Sequence, residues 1–239
     1  MNIYTISDVH IKPDGQNSNE MKKFLSLPFQ TNDSIYLLGD IFDLMIGPHQ
    51  EYYTEYNWFF DKLKELLSLG IKIKYFEGNH DFHIERLFSE IGIKVYKEPF
   101  KKTFNEQKIL FCHGDEIELG NPSYKRYKKF ITSKPLNYIA NKLMPYRILN
   151  FIGVTASKKS RSRNKARYGN PQENLRIRDS FREAAEVASK VYGVEVVISG
   201  HSHFMDYFES DTVIYANNGY VPYTNSYIRI SDKIEIMKL

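Results

Sequence analysis

The sequence predicts an α/β fold in which two sheets pack face to face, with helices outside them and a helical cap inserted. In the first half of the chain, short β-branched or apolar runs alternate with segments of helical periodicity. From Val194 onward the pattern consists of strands. Between residues 121 and 170, prolines divide helical stretches into short pieces. We therefore expect a core of residues 1–120 and 171–239 that carries a cap of residues 121–170.

The first half of the core alternates strands with helices. Its predicted strands are Asn2–Ser7, Ser34–Leu38, Ile71–Glu77, Ile93–Tyr96 and Lys108–Cys112. A helix is predicted at Glu51–Leu69 and ends at Gly70, and a shorter one at His83–Ile91 ends at Gly92. Glycine favours these helix ends because it adopts the left-handed conformation of the C′ position without steric cost.

The second half of the core begins with a long amphipathic helix. Pro171 is predicted to open it, because proline suits the first helical position, and Gly193 stops it after about Val191. The strands that follow are predicted at Val194–Ser199, Met205–Glu209, Thr212–Ala216, Ser226–Ile230 and Lys233–Met237.

Composition indicates a cytosolic protein. Cys112 is the single cysteine, so no intramolecular disulfide can form, and its apolar neighbours predict a buried core position. No window approaches about 18 uninterrupted apolar residues, so we expect no transmembrane helix. The first predicted strand begins at Asn2, which leaves no room for a secretory signal.

Charge is distributed unevenly between cap and core. The cap holds thirteen of the 33 basic residues and none of the 29 acidic residues, although the net charge of the chain is only +4. A basic block on an acidic body predicts an anionic partner, which is a membrane surface, a nucleic acid or a phosphorylated substrate. A solvated helical face is the alternative.

Five short segments, each after a predicted strand, carry side chains that bind metals. They are Ser7-Asp8-Val9-His10, Gly39-Asp40-Ile41-Phe42-Asp43, Gly78-Asn79-His80-Asp81, His113-Gly114-Asp115 and Gly200-His201-Ser202-His203. Carboxylates, one amide and several imidazoles without cysteine suit Mn²⁺, Fe²⁺, Zn²⁺ or Mg²⁺. A pair of such cations is what phosphate-ester hydrolysis needs. Residues two apart in an extended chain project to one side, so we expect His10 beside Asp8 and His203 beside His201.

Each motif alone has a structural alternative. Asp43 and Asp115 suit turns or helix N-caps, and Asn79 alone suits a turn. His10 or His113 alone would be an ordinary hydrogen-bonded core histidine. Two other histidines belong to no motif and are predicted to be surface or helix residues, His49 and His83. His83 is also a weak candidate for substrate contact.

Together the five segments resemble the pattern of the calcineurin-like metallophosphoesterase superfamily, which is D-x-H, G-D, G-N-H-[DE], H and G-H-x-H. The resemblance implies a four-layer α/β/β/α sandwich with two metals. One metal would be held by Asp8, His10, Asp40 and His203. The other would be held by Asp40, Asn79, His113 and His201, with Asp40 as the bridge. His80 would act on the substrate as a general acid or oxyanion partner, oriented by Asp81, or it would merely stabilise its loop.

The cap is similar to that of the UDP-2,3-diacylglucosamine pyrophosphohydrolases. The similarity rests on the Tyr127–Phe130 segment, the aromatic-rich helix after Lys134-Pro135, the Leu143–Pro145 turn and the basic Ser160–Asn164 stretch. It implies cleavage of a lipid-linked UDP-sugar into UMP and a lipid monophosphate in lipid A synthesis, usually with Mn²⁺, at the inner face of the inner membrane. Acyl chains and anionic lipid would meet the apolar and basic side chains of the cap.

Substrate contacts are expected from both core and cap. Within the cap, Ser160, Asn164 and Arg167 share a helical face and suit sugar and phosphate contacts, with a solvated face as the alternative. In the core, Asn79, His80 and His201 are expected to touch the substrate. The third motif departs from the pyrophosphohydrolase pattern, which has Gly-Asn-Arg-Asp where this chain has His80. Arginine offers a fixed positive charge to a phosphate leaving group, and histidine offers a proton.

Two other readings stay open. A general phosphoesterase could act on nucleotides, phosphoproteins or nucleic acid, although the aliphatic, proline-divided cap argues against nucleic acid. A catalytically inert scaffold is the third reading, but inert members of such folds lose ligands, and the seven predicted ligands are all present.

Overall fold

The computed structural model describes residues 1–119, 126, 128–130, 132–139, 142, 145–148, 151 and 170–239. The strands are β1 Ile3–Ile6, β2 Ser34–Leu37, β3 Met45–Ile46, β4 Lys72–Phe76, β5 Asp81–Phe82, β6 Lys94–Tyr96, β7 Phe100–Phe104, β8 Gln107–Phe111, β9 Val196–Ile198, β10 Met205–Glu209, β11 Ile214–Asn218, β12 Ser226–Ile230 and β13 Ile234–Lys238. The helices are α1 Ser18–Leu25, α2 Glu51–Glu55, α3 Asn57–Ser68, α4 Glu85–Ser89, α5 Lys134–Tyr138, α6 Pro171–Tyr192 and α7 Val221–Thr224.

These strands form two large sheets and one small one. The first sheet has the order β13-β12-β1-β2-β4-β6, and β1, β2, β4 and β6 run parallel. The second has the order β10-β11-β9-β8-β7, with β8, β9 and β11 parallel. A short parallel pair, β3 and β5, stands apart. The carboxyl ends of parallel strands gather at one edge of a sheet, which is where the chemistry of α/β folds usually lies.

The two sheets pack face to face, with helices covering both outer faces. Alternating side chains divide β1 between two cores: Ile3 faces the second sheet, whereas Tyr4 belongs to the cluster beneath α1 to α4. In the second sheet, Ile109 faces inward and Leu110 packs against α6. The four-layer α/β/β/α order that the resemblance implies is therefore confirmed.

The structure differs from the predicted elements in several places. The short elements β3, β5 and α7 were not predicted, and three further differences have a local cause. Helix α1 was not predicted, because its eight residues hold only a short apolar stripe. The predicted helix Glu51–Leu69 is divided at Tyr56, whose φ of −117° and ψ of 35° leave the helical region. Strand β7 was not predicted either, since its lysines interrupt the apolar alternation at an edge of the second sheet.

Several contacts join described residues of the predicted cap to the core. Lys128 forms an ion pair with the buried Asp115, and the Tyr146 hydroxyl donates to Glu55. The Nδ2 atom of Asn137 lies 2.8 Å from Nδ1 of His83. Among the helices of the described ranges, none combines the length and apolar character that crossing a membrane requires.

Candidate metal centre

The predicted metal-binding side chains follow five parallel strands at their carboxyl ends. Strands β1, β2 and β4 lead into the first three motifs, and β8 and β9 lead into the last two. Because the two sheets pack face to face, these loops meet at one end of the sandwich. Asp8, Asp40 and His113 are buried there, and His10 is only 6% exposed.

The backbone of these loops is left-handed at most of the candidate ligands. The φ angles are 55° at Asp8, 52° at His10, 52° at Asp40, 67° at His201 and 58° at His203. The expectation that Asp8–His10 and His201–His203 converge because the chain is extended was therefore wrong. Each pair lies beyond the end of its strand, and local backbone strain of this kind is typical of functional sites.

One group of four side chains converges closely. It consists of Asp8, His10, Asp40 and His203, whose ligand atoms all lie within 4.8 Å of one another. The Nε2 atoms of His10 and His203 are 3.3 Å apart, and Nε2 of His203 is 3.3 Å from Oδ1 of Asp8. Oδ2 of Asp40 lies 3.7 Å from Nε2 of His10. Two carboxylates and two imidazoles at these distances form a donor set that fits a divalent transition ion.

A second group shares the same oxygen of Asp40. Nε2 of His113 lies 3.7 Å from Oδ2 of Asp40 and 3.3 Å from Oδ1 of Asn79. Nδ1 of His113 is 2.8 Å from the carbonyl oxygen of Leu38. Since a carbonyl can only accept, Nδ1 carries a proton, and Nε2 is the nitrogen that faces Asp40.

His201 lies at the outer side of this second group. Its ring centroid is 5.1 Å from that of His113, and its Nε2 is 3.4 Å from Oε2 of Glu118. The backbone N–H of His201 donates to Oδ2 of Asp8 at 2.9 Å. The last motif therefore also holds a carboxylate of the first.

The ionisation of the centre suits metal binding. Burial alone would raise the pKa of Asp40, but His113, His80 and His10 outweigh burial and hold this pKa well below its usual range. Burial and the nearby His80 lower the pKa of His10 to about 3, so its ring is neutral at physiological pH. A carboxylate and a neutral imidazole are the forms that coordinate metals. Burial would lower the pKa of His113, but the nearby carboxylates, Asp40 first, outweigh burial and raise it to about 9, so His113 must release a proton when a metal binds.

Asp81 organises the loop that carries Asp40. Its Oδ1 accepts from the amides of Asp40 and Gly78 at 2.9 Å each, and its Oδ2 accepts from Ile41 at 2.7 Å and from the Tyr75 hydroxyl. The prediction that Asp81 orients the His80 ring is therefore wrong, because its buried carboxylate is occupied by these donors. Burial and the adjacent Asp40 raise the pKa of Asp81 to about 7.

The ring of His80 is oriented by a backbone carbonyl instead. Nδ1 of His80 lies 2.8 Å from the carbonyl oxygen of Asp43, so Nδ1 is the donor. The ring packs edge to face against His10 with centroids 4.8 Å apart. Asp43 stands with His10 and His80 as a second cluster of close ligand atoms. His80 therefore sits beside the metal-binding group, with its ring held through Nδ1.

Two glycines of the motifs are required by close approach. A Cβ on Gly39, at a φ of +82°, would lie 2.6 Å from Nδ1 of His113. A Cβ on Gly78 would press against the Oδ1 and amide nitrogen of Asp40 more closely than real Cβ atoms approach. The glycines therefore let neighbouring loops touch.

Three residues at and just beyond the end of β11 belong to the site and were missed. Asn218 accepts from the Ser7 amide at 3.1 Å, and Asn217 donates to the Gly200 carbonyl at 2.8 Å, so they tie the first motif to the last. Tyr220 stacks on His203 with ring centroids 5.1 Å apart. The sequence held a signal for these residues. Strand β11 ends in two asparagines and is followed by a glycine, and the other strands that lead into the site are likewise followed by polar residues.

The remaining predictions have mixed outcomes. Cys112 is buried, as predicted. His83 is buried and left-handed at a φ of 61°, so its predicted surface or helix position was wrong. Asp115 is buried against Lys128. The predicted substrate contacts of the cap lie outside the described residues, namely Ser160, Asn164 and Arg167.

Comparison with known proteins agrees with a metal-dependent phosphoesterase site. The family model for calcineurin-like phosphoesterases matches residues 1–205, a span that includes every predicted metal ligand. A UDP-2,3-diacylglucosamine hydrolase from Haemophilus influenzae is 28% identical over 208 residues, covering 84% of this chain and 82% of that protein. Another from Nitrosococcus oceani is 26% identical over 212 residues, covering 85% and 79%. A third, from Histophilus somni, is 24% identical over 202 residues, covering 84% and 83%.

Proposed function

Because the chain belongs to the calcineurin-like phosphoesterase family, we propose that it hydrolyses the pyrophosphate of UDP-2,3-diacylglucosamine, releasing UMP and 2,3-diacylglucosamine 1-phosphate for lipid A synthesis. Water supplies oxygen to one phosphorus, and the bridging oxygen leaves with the other phosphate. The proposal rests on the relatives named UDP-2,3-diacylglucosamine hydrolase, which match across 84% to 85% of this chain. The convergence of His10 and His113 on one oxygen of Asp40 supports a two-metal centre.

The residues of the centre divide naturally into two ligand sets. Asp8, His10, Asp40 and His203 would hold one ion, and Asp40, Asn79, His113 and His201 the other. Two divalent ions, which we take to be Mn²⁺, would supply a nucleophile at neutral pH and neutralise charge on the phosphate oxygens. The protein contributes the fixed orientation of these ligands through the Leu38 carbonyl, the His80 amide and the Asp81 carboxylate.

His80 would act on the leaving phosphate. Its Nδ1 donates to the Asp43 carbonyl, which leaves Nε2 to carry a second proton and a positive charge towards the substrate. A phosphate monoester is a weak base, so it gains more from this charge than from full proton transfer. The protonated ring of His80 would thereby replace the arginine of the Gly-Asn-Arg-Asp form.

The described part of the cap supports a lipid-facing role. Phe130, Tyr138, Ile148 and Phe151 are 52% to 74% exposed, which leaves more apolar surface in water than short helices usually do. The predicted cap also holds thirteen basic residues and no acidic ones. Apolar side chains among cations suit acyl chains and an anionic bilayer, so the enzyme would work peripherally at the inner face of the inner membrane.

The decisive experiment is hydrolysis of UDP-2,3-diacylglucosamine by purified protein with Mn²⁺, followed by phosphorus NMR, with Asp40→Ala as control. We expect UMP and the acylated sugar phosphate, both absent with the variant. Failure to turn over this substrate, with brisk Mn²⁺-dependent cleavage of a generic aryl phosphodiester, would refute the lipid substrate. It would establish the alternative, a general phosphoesterase acting on nucleotides or other phosphoesters.

Membrane association has its own test. Vesicles of phosphatidylcholine with and without phosphatidylglycerol are sedimented with the protein at low and high salt. We expect binding that needs the anionic lipid and weakens with salt, because surface charges are screened over about 10 Å at 0.1 M. Equal and weak binding to both vesicles would contradict the membrane-surface role while leaving the reaction intact.

A further inference from the structure

A short line of aromatic rings leads from the metal-binding group to solvent. Tyr220 stacks on His203 with an interplanar angle of 25°, and its ring centroid is 5.7 Å from that of His10. Tyr223 packs edge to face on Tyr220 at 4.9 Å. Tyr223 itself is 81% exposed. A large ring is therefore presented to water two ring contacts away from a candidate metal ligand.

The position of Tyr223 is set by the centre. The amide of Tyr220 donates to the carbonyl of His203 at 3.1 Å, and the amide of Val221 donates to the carbonyl of Asp8 at 3.2 Å. Val221 is fully buried, and the amide of Thr224 returns to the carbonyl of Tyr220 at 3.0 Å. Helix α7 is therefore pinned to one residue of the first motif and one of the last, although it carries no predicted ligand.

Single exposed aromatic side chains are common on protein surfaces and need no explanation by themselves. Tyr223 differs because the start of its helix is hydrogen-bonded to two candidate ligands, His203 and Asp8, and because its ring packs on Tyr220. Stabilising an exposed ring at a fixed distance from a phosphate-binding centre provides a flat surface for a flat ligand group. Nucleotide bases stack on such rings whatever their hydrogen-bonding edges, because every base has a π-face.

We propose that Tyr223, supported by Tyr220, is the stacking platform for the nucleobase of the substrate while the pyrophosphate lies at the metal centre. This proposal rests on the proposed function only in taking the substrate to be a nucleotide diphosphate. Described cap residues contact other parts of the core, at Glu55, His83 and Asp115. The lipid half would lie along the cap, and the nucleotide half would lie over α7.

The test is calorimetric binding of UMP and of ribose 5-phosphate to the Mn²⁺-loaded full chain. The two ligands share a sugar phosphate and differ in the base. We expect UMP to bind at least about tenfold tighter than ribose 5-phosphate to the wild type, and Tyr223→Ala to remove most of this difference. Tyr223→Phe should keep it, because the ring remains. Tyr207→Ala removes another tyrosine, 44% exposed and located on β10, and should change neither affinity.

The proposal is overturned if wild-type protein binds both ligands equally, if it binds neither, or if Tyr223→Ala leaves the difference intact. An equal loss for both ligands would also overturn it, because Tyr223 would then position the loop and not the base. Failure of the proposed function gives a different result: UDP-2,3-diacylglucosamine is not hydrolysed, yet the base-dependent difference persists and still disappears with Tyr223→Ala. If the protein hydrolyses the lipid substrate but Tyr223→Ala leaves the difference between UMP and ribose 5-phosphate affinity unchanged, only the stacking role of Tyr223 is refuted.

Discussion

The backbone N–H of His80 donates a hydrogen bond of 2.9 Å to Oδ1 of Asp40, which joins the third motif to the second. With Oδ1 engaged, Oδ2 of Asp40 is left 3.7 Å from Nε2 of both His10 and His113. One carboxylate is thus turned so that a single oxygen faces both ligand groups. The geometry explains how loops from separate strands can build one bridged centre.

Removal of the Asp40 carboxylate should weaken metal binding. We expect Asp40→Ala to hold fewer than two metal ions per chain by elemental analysis and to lose more than about 100-fold in kcat, since outer-sphere partners alone cost 10- to 100-fold. Asp61→Ala is the matched control, because the Asp61 side chain is 72% exposed. Two tightly held ions in Asp40→Ala would contradict the assignment.

Asp81 should matter for stability more than for protonation. Asp81→Ala leaves the amides of Asp40, Ile41 and Phe42 and the Tyr75 hydroxyl without their acceptor, at about 1–3 kcal/mol for each unsatisfied group. We expect the free energy of unfolding to fall by at least about 3 kcal/mol in urea denaturation of metal-free protein. Tyr75→Phe removes one donor and should cost about 1 kcal/mol. A stable Asp81→Ala with an altered pH–rate profile would restore the role of orienting His80.

Gly78 should tolerate no side chain. Gly78→Ala would push a Cβ into the Asp40 amide and carboxylate, so we expect loss of metal and of activity even where the protein still folds. Gly92→Ala is the control, because nothing lies within 4 Å of its Cβ and only its φ of +82° is unfavourable. That control should cost about 1–2 kcal/mol and keep its metals. Normal metal content in both variants would show that the Gly78 contact is dispensable.

Lys128 should stabilise the attachment of the cap. Lys128→Ala removes a cation that pairs with the buried Asp115 and with Glu116, so we expect the free energy of unfolding to fall by about 3 kcal/mol. Thermal melting at a fixed metal concentration measures this loss of stability. Lys129→Ala removes the same charge from an exposed neighbour and should change the melting temperature little. Similar melting of the two variants would mean that the ion pair contributes nothing.

His80 should act through positive charge. We expect His80→Ala to lower kcat for UDP-2,3-diacylglucosamine about 100-fold, in the range of general acid contributions. His80→Arg should recover most of that loss, because arginine supplies a permanent cation at the same place. Steady-state kinetics at saturating substrate measures kcat for both variants. Equal rates for His80→Ala and His80→Arg would rule out a role for charge here.

Much of the fold followed from local pattern. Short β-branched or apolar runs predicted the strands that carry the motifs, and Pro171 and Gly193 predicted the ends of helix α6 within a residue or two. The short α1 and the lysine-rich β7 escaped because packing against distant elements stabilises them, not their own pattern. Tyr56 interrupts the helical run while the apolar stripe continues, so periodicity alone did not reveal the break.

Residue types and their order at the strand ends were enough to predict a metal centre and its candidate ligands. The sequence could not decide how those ligands are aimed, because side-chain direction depends on left-handed backbone at Asp8 and His203 and on hydrogen bonds between loops far apart in the chain. Only the tertiary structure shows that the Asp81 carboxylate accepts from the backbone of the Asp40 loop and that the His80 ring bonds to the Asp43 carbonyl. It also brought Asn217, Asn218 and Tyr220 to the site. A hydrogen bond is decided by distances of tenths of an ångström between groups that only folding brings together.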